Sequence, residues 1–83
     1  MIDAVLKFLR ESITVADIAY ETGFDLQQLC ESTSLVVELG ADDLDMLLIA
    51  MDLEDNFEIS ISDAEIDELT SPAAIARLLG TKL

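Results

Sequence analysis

The chain contains no histidine and no tryptophan, one cysteine, one proline and only four lysine or arginine residues. Without histidine, Ser-His-Asp and Cys-His catalysis are excluded, and so is a zinc site of histidine or clustered cysteine ligands. The single cysteine, Cys30, cannot form an internal disulfide, which predicts a reducing, cytoplasmic location. The longest uninterrupted apolar run covers residues 46–51 and is too short to span a bilayer.

Positive charge is scarce and confined to the two ends of the chain. The chain has four basic and 18 acidic residues, which gives a net charge of −14. No lysine or arginine lies between Glu11 and Ala76. Such a surface repels phosphate backbones and anionic membranes, so neither nucleic acid nor membrane is an expected partner. It attracts partners that carry a basic patch. Hydrophobic residues make up 52% of the 83 residues, which excludes a disordered acidic tail and predicts one small domain covering residues 1–83.

The apolar periodicity predicts an all-α domain of four helices, with a long loop between the first and second and a short third helix. The first helical region runs from Ile2 to Gly23, either as two helices or as one helix bent near residues 12–14. Residues 24–41 are predicted to form an ordered loop. The later helices are predicted from Asp42 or Asp43 to about Phe57, from Ser62 or Asp63 to about Leu69, and from Pro72 to about Leu79, closing at Gly80.

The second predicted helix carries two apolar stripes. The first is typical of a core-facing side and comprises Met46, Ile49, Ala50, Leu53 and Phe57. The second points elsewhere on the helix and comprises Leu44, Leu47, Leu48 and Met51. One interpretation buries Leu47 and a neighbour under the loop or the short helix. The other leaves an exposed apolar patch rimmed by aspartate and glutamate, which is how a protein-binding surface is composed.

Other candidate sites give weaker signals. Cys30 is expected to be a small buried hydrophobe, and Tyr20 and the three phenylalanines are expected in the core. The carboxylates at the start of the second helix lack the ordered set of ligands that calcium loops need, so no specific metal site is predicted. Paired carboxylates at an exposed helix end have no cleft to perturb their pKa, so no enzymatic activity is expected.

The run Glu-Leu-Gly-Ala-Asp-Asp-Leu-Asp at residues 38–45 resembles the attachment motif of acyl carrier proteins, which is normally Asp/Glu-Leu-Gly-Ala-Asp-Ser-Leu-Asp. The residues around it extend the resemblance. They are Ser-Leu-Val at 34–36, Leu-Glu-Asp-Asn-Phe-Glu-Ile at 53–59, Ile-Ser-Asp at 61–63 and Thr-Ser at 70–71. The resemblance covers about residues 23–80. It implies a four-helix bundle whose second helix docks on basic-patch enzymes of fatty-acid or polyketide synthesis.

The family carries acyl chains on a 4′-phosphopantetheine arm, attached to a serine at the start of the second helix. Asp43 occupies that position here. A carboxylate would form a mixed anhydride that water hydrolyses, so no arm is expected on this chain. Two further departures are Leu48, where the family commonly has glutamate, and an N-terminal helical region several residues longer than usual.

Three functions remain open at this point. The first is a protein of the acyl-carrier type that has lost the arm and acts by docking, the second is a working carrier whose serine has been replaced by Asp43, and the third is a self-associating structural subunit. The residues expected to contact a partner lie on the second helix: Asp42, Leu44, Asp45, Leu47, Leu48, Met51, Glu54 and Asp55.

The charge imbalance predicts a salt-dependent stability. Because a net charge of −14 repels itself in the compact state, added salt or Mg²⁺ at neutral pH is expected to raise the melting temperature. Thermal unfolding followed by circular dichroism at low and high ionic strength measures this. An unchanged melting temperature would contradict it.

Overall fold

The computed structural model describes residues 1–83 and contains helices without any strand. The α-helices are α1 (Ile2–Glu11), α2 (Ile13–Thr22), α3 (Asp43–Phe57), α4 (Asp63–Ile66) and α5 (Pro72–Lys82), and a 3₁₀ turn covers Leu26–Gln28. The all-α fold class, the long loop before the strongest helix and the short helix after it are therefore confirmed. None of the helices is long and apolar enough to cross a membrane.

Ser12 divides the N-terminal helical region in two. Its backbone is extended (φ −71°, ψ 128°), which ends α1, and its hydroxyl accepts a hydrogen bond from the Val15 N–H to cap α2. The chain therefore has two ten-residue helices where one bent helix was the alternative. Gly23 closes α2 in the left-handed conformation, as the sequence predicted. Helix α1 packs on both α2 and α5.

The loop between α2 and α3 is held by buried side chains and by hydrogen bonds to distant elements. Leu29, Leu35 and Leu39 are buried in the core. The guanidinium of Arg10 donates to the Leu29 carbonyl at 2.8 Å, and the Leu35 N–H donates to the Thr70 carbonyl at 3.0 Å. These contacts tie the loop to α1 and to the start of α5, so it forms a fixed wall of the domain.

Gly40 and Thr22 join the end of this loop to α2. The Thr22 hydroxyl donates to the carbonyls of Ile18 and Leu39, at 2.9 and 2.8 Å. Gly40 has φ +94°, and a Cβ atom at this position would lie 2.7 Å from the Thr22 methyl group. Both the backbone conformation and the close approach therefore require glycine here.

The first stripe of α3 faces the core, as predicted. Met46, Ile49, Ala50 and Leu53 are buried, and Phe57 is half-buried with its ring 6.0 Å from the ring of Phe8. The stripe belongs to one continuous cluster that includes residues of α1, α2, the loop and α5. Burial of that cluster places α3 against α2.

The C-terminal boundaries differ from those predicted. The short helix α4 ends at Ile66 rather than near Leu69, and α5 continues through Gly80 to Lys82. The helix continues because the Leu83 N–H donates to the Leu79 carbonyl, and Lys82 pairs with Glu65 at 3.1 Å. Gly80 is thus a glycine within the last helical turn and not the residue that closes the helix.

The aromatic residues are less buried than predicted. Phe8, Phe24 and Phe57 are half-buried against the core. Tyr20 is 91% exposed, so the prediction that it lies in the core was wrong. The inward face of α2 is filled by Val15, Ile18 and Ala19, and a helical step of 100° from Ala19 carries Tyr20 away from that face.

Replacement of Gly40 by alanine is expected to destabilise the protein by about 1–3 kcal/mol, because alanine is strained at φ +94° and meets Thr22. Gly80→Ala is the matched control. It lies in a helix with open space around its Cα, so alanine is expected to stabilise by up to about 1 kcal/mol. Urea unfolding of both variants measures the difference. Equal effects of the same sign would contradict this account.

The pair at the end of α5 predicts a pH effect. The N–H of Ser62 and then the ammonium group of Lys82 hold the pKa of Glu65 below its ordinary value of 4.5. A carboxyl group whose pKa is lowered by folding stabilises the fold at pH values above its ordinary pKa. This contribution is lost as the pH falls from the ordinary pKa through the lowered one. The stability difference between the native protein and Glu65→Gln is therefore expected to shrink on acidification. Glu31→Gln, at an exposed carboxylate without a side-chain hydrogen bond, should show no such trend in urea unfolding.

Candidate functional site

Two aspartates fix the start of α3. The Asp45 N–H donates to the Asp42 carboxylate at 2.8 Å, and the Asp42 N–H donates to the Asp45 carboxylate at 3.0 Å. This reciprocal pair is a capping box, which satisfies two of the free N–H groups at the helix end. Negative charge at this end is also favoured by the helix dipole. The motif Asp42-Asp43-Leu44-Asp45 therefore sets the first turn of α3 rigidly.

Asp43 is the first residue of α3 and lies between the two capping aspartates. Its side chain is exposed and takes no part in the hydrogen bonds of the cap. It lines a groove of about 210 Å³. The side chain at position 43 is thus presented to solvent beside a groove, and no hydrogen bond of the cap depends on it.

Residues from three separate segments form the groove beside Asp43. The apolar lining residues are Val36 from the loop, Met46 from α3, and Ile66 and Leu69 from α4 and the turn after it, and the polar ones are Asp67 and Thr70. Sequence reasoning did not identify this groove, because its lining residues are brought together only by tertiary packing. Thr70 supplies the only hydroxyl of the groove, and no spacing in the sequence relates it to position 43.

The 4′-phosphopantetheine arm implied by the family resemblance does not fit the side chain present at this helix start. Attachment through a stable phosphodiester needs an alcohol oxygen, and position 43 offers a carboxylate. The neighbouring residues of the first turn, Asp42, Leu44 and Asp45, offer no hydroxyl either. No group of three or more side chains suited to a metal ion forms here or elsewhere in the molecule.

The second stripe of α3 lies on the surface. We call Leu44, Leu47, Leu48 and Met51 the α3 patch. Their side chains are 63%, 42%, 40% and 50% exposed, respectively. None of the four is buried, so the interpretation that buries Leu47 and a neighbour is wrong. Four large apolar side chains on one helix form an exposed surface that water solvates poorly.

The acidic residues around the α3 patch differ in what they bind within the chain. The Glu54 carboxylate accepts a hydrogen bond from the Ile61 N–H at 2.9 Å, which fixes the connector after α3. The Asp52 carboxylate accepts one from the Thr14 hydroxyl at 3.3 Å. Asp43 and Asp55 are exposed and make no side-chain hydrogen bond. The rim therefore combines positioned carboxylates with freely solvated ones.

Cys30 lies on the surface, so its prediction as a buried hydrophobe was wrong. Its sulfur lies 3.4 Å from the hydroxyls of Ser32 and Thr33, and these hydrogen bonds hold the pKa of the thiol below its ordinary value. The neighbouring Leu29 takes the inward position instead. Thr33 is also buried, and its hydroxyl accepts a hydrogen bond from the Cys30 N–H.

Most of the chain is similar in sequence to known proteins. A family model described as the phosphopantetheine attachment site matches residues 11–79, which leaves most of α1 outside the match. An acyl carrier protein of Exiguobacterium sp. is 33% identical over 66 residues, which cover 80% of this chain and 84% of the relative. An acyl carrier protein of Thermotoga maritima is 32% identical over 66 residues, covering 80% of this chain and 82% of the relative.

Acyl carrier proteins are carriers and not enzymes, in agreement with the expectation from the sequence. The matched residues include the capped start of α3, the groove beside it and the whole of α3 and α4. The chain therefore belongs to the acyl carrier protein family.

Proposed function

We propose that this protein is an acyl-carrier-type module of fatty-acid or polyketide-type biosynthesis that does not carry 4′-phosphopantetheine. It acts in the cytoplasm as a single domain of residues 1–83, by docking its acidic α3 on enzymes with basic patches. The observation that carries the proposal is the carboxylate of Asp43, exposed at the position where the family has its attachment serine.

The chemistry at position 43 supports the loss of the arm. A carboxylate joined to a phosphate is a mixed anhydride, and water attacks such a bond readily. Because Asp43 is solvent-exposed, nothing in the structure excludes water from that linkage. Thr70 lines the same groove but directly precedes Ser71, the N-cap of α5, and so lies outside the motif at the start of α3.

The surface of α3 supports docking as the remaining activity. The α3 patch supplies an apolar centre, and Asp42, Asp45, Glu54 and Asp55 supply a charged rim. An apolar centre with a polar rim is the usual composition of an interface between proteins. The net charge of −14 favours a partner with a basic surface, and it speeds the encounter at low salt.

Intact mass measurement tests the loss of the arm. The native protein, Asp43→Ser and Thr70→Val would each be incubated with coenzyme A and a phosphopantetheinyl transferase of broad specificity. We expect only Asp43→Ser to gain the mass of the arm, because it alone has an alcohol at the start of α3. Asp43→Asn is the matched control, since it removes the same charge without supplying a hydroxyl.

The outcomes separate the open functions. A gain of mass by Asp43→Ser alone supports a carrier silenced at one residue. A gain of mass by the native protein would contradict the proposal, and its disappearance in Thr70→Val would identify Thr70 as the attachment residue. If Asp43→Ser gains no mass either, the surface that the transferase recognises has also diverged. In that case the docking role remains proposed, but a carrier silenced by Asp43 alone is excluded.

A further inference from the structure

One ion pair joins the end of α5 to the short helix α4. The Lys82 ammonium lies 3.1 Å from the Glu65 carboxylate, and this is the only ion pair of the protein. The two side chains are 24% and 27% exposed, so salt screens the pair less than it screens a pair at a fully exposed site. The family match ends at residue 79, so the pair joins a residue beyond the match to one within it.

The carboxylate of Glu65 that binds Lys82 also fixes the start of α4. The Ser62 N–H donates to Oε1 of Glu65 at 2.9 Å, and the Glu65 N–H donates to the Ser62 hydroxyl at 3.2 Å. This reciprocal pair is a capping box. The Lys82 ammonium contacts the same Oε1 atom. A single oxygen therefore links the cap of α4 to the last turn of α5.

Helix α4 is held in place by few contacts. It has four residues, none of which is buried, and so short a helix is not stable by itself in water. We call residues 62–68 the α4 segment. Apart from the Lys82–Glu65 pair, no hydrogen bond or ion pair joins this segment to another helix or to the loop. Its position therefore depends on that pair and on Ile66, which is half-buried against the core.

Like charges act against this position. The α4 segment contains four acidic residues and no basic one: Asp63, Glu65, Asp67 and Glu68. Asp67 lines the same groove as Asp43, and the two carboxylates repel each other across it. Because Ile66 and Asp67 form part of the groove wall, a displacement of α4 changes the width of the groove.

We propose that the Lys82–Glu65 pair holds α4 in place as a wall of the groove at Asp43, and that loss of the charge on Lys82 lets α4 move outward and widens the groove. Lys82 is a positioning residue, since it does not line the groove and acts through Glu65. The pair would act in the same way whatever residue occupies position 43. The inference therefore goes beyond the proposed function and does not depend on the loss of the arm.

Amide hydrogen exchange followed by NMR tests the proposal. Lys82→Gln removes the charge and keeps a polar side chain. Outward movement of α4 exposes the N–H groups of Ile66 and Glu68, which are hydrogen-bonded within the α4 segment. We expect their exchange to become about twofold to fivefold faster in this variant, the range expected for a partly exposed ion pair. The Val5 N–H in the first turn of α1 opens without breaking the pair, and its exchange is expected to be unchanged.

Two further variants separate the ion pair from the net charge. Lys82→Arg keeps the positive charge, and we expect exchange in the α4 segment to stay close to that of the native protein. Arg77→Gln is the matched control, because it removes a positive charge from an exposed site on the same helix that forms no ion pair. We expect it to change exchange at Ile66 and Glu68 by less than about twofold. Circular dichroism of all three variants confirms that they are folded.

NMR relaxation dispersion gives the second measurement, of motions between microseconds and milliseconds. We expect Lys82→Gln to increase the exchange contribution at the side chains of Met46 and Ile66, which line the groove. Val5, buried in α1, is expected to show no increase.

Three outcomes would each overturn the proposal. The first is unchanged exchange at Ile66 and Glu68 in Lys82→Gln, even if the whole bundle becomes less stable, because the pair would then stabilise the protein without holding α4. The second is equal acceleration in Arg77→Gln, and the third is acceleration in Lys82→Arg as large as in Lys82→Gln. None of these outcomes alters the mass measurement at position 43, so this inference and the proposed function fail separately.

Discussion

Burial of one face of α3 is the interaction on which the other features depend. Met46, Ile49, Ala50 and Leu53 pack into a core that every other long helix and the loop share. Because the opposite face is also apolar, the same burial leaves the α3 patch on the surface. The C-terminal half of α3 and the junction of α1 and α2 line an open cavity of about 530 Å³, and the first turn of α3 presents position 43.

At the start of α3, the residues that cap the helix are not the residue that is exposed between them at position 43. Asp42 and Asp45 hold the helix end through reciprocal hydrogen bonds, and this cap does not involve the residue between them. A change at position 43 therefore alters what can be attached there without removing any contact that holds the helix. The capped helix start can therefore be kept while the residue at position 43 varies.

Local signals in the sequence were enough to predict the helix starts and the face of α3. Ser71 followed by Pro72 and the aspartates before Leu44 are capping signals whose effect depends on a few neighbouring residues. Gly80 misled the prediction because a glycine inside a helix has the same local signature as one that ends it. Helix α5 instead continues past Gly80, and the Leu83 N–H donates to the Leu79 carbonyl.

Local sequence signals could not predict which residues of the loop are buried or how the surface is shaped. Cys30 and Leu29 are adjacent and both apolar enough for a core, and only the packing of the whole loop decides that Leu29 points inward. The groove at Asp43 combines three segments spread between residues 36 and 70, so no local motif predicts it. Tyr20 is different, since helical periodicity alone places it outside, and its residue type was the misleading signal.

The packing of α1 on α5 has a consequence for how the chain folds. These are the first and last helices, with 60 residues between Glu11 and Pro72, so their contact closes most of the chain into a loop. Closing a long loop is entropically unfavourable and slows folding relative to contacts between neighbours. During synthesis α1 emerges before the other helices, and α5, one of the two helices on which it packs, emerges after them. The apolar face of α1 is therefore fully covered only after the rest of the chain has been synthesised.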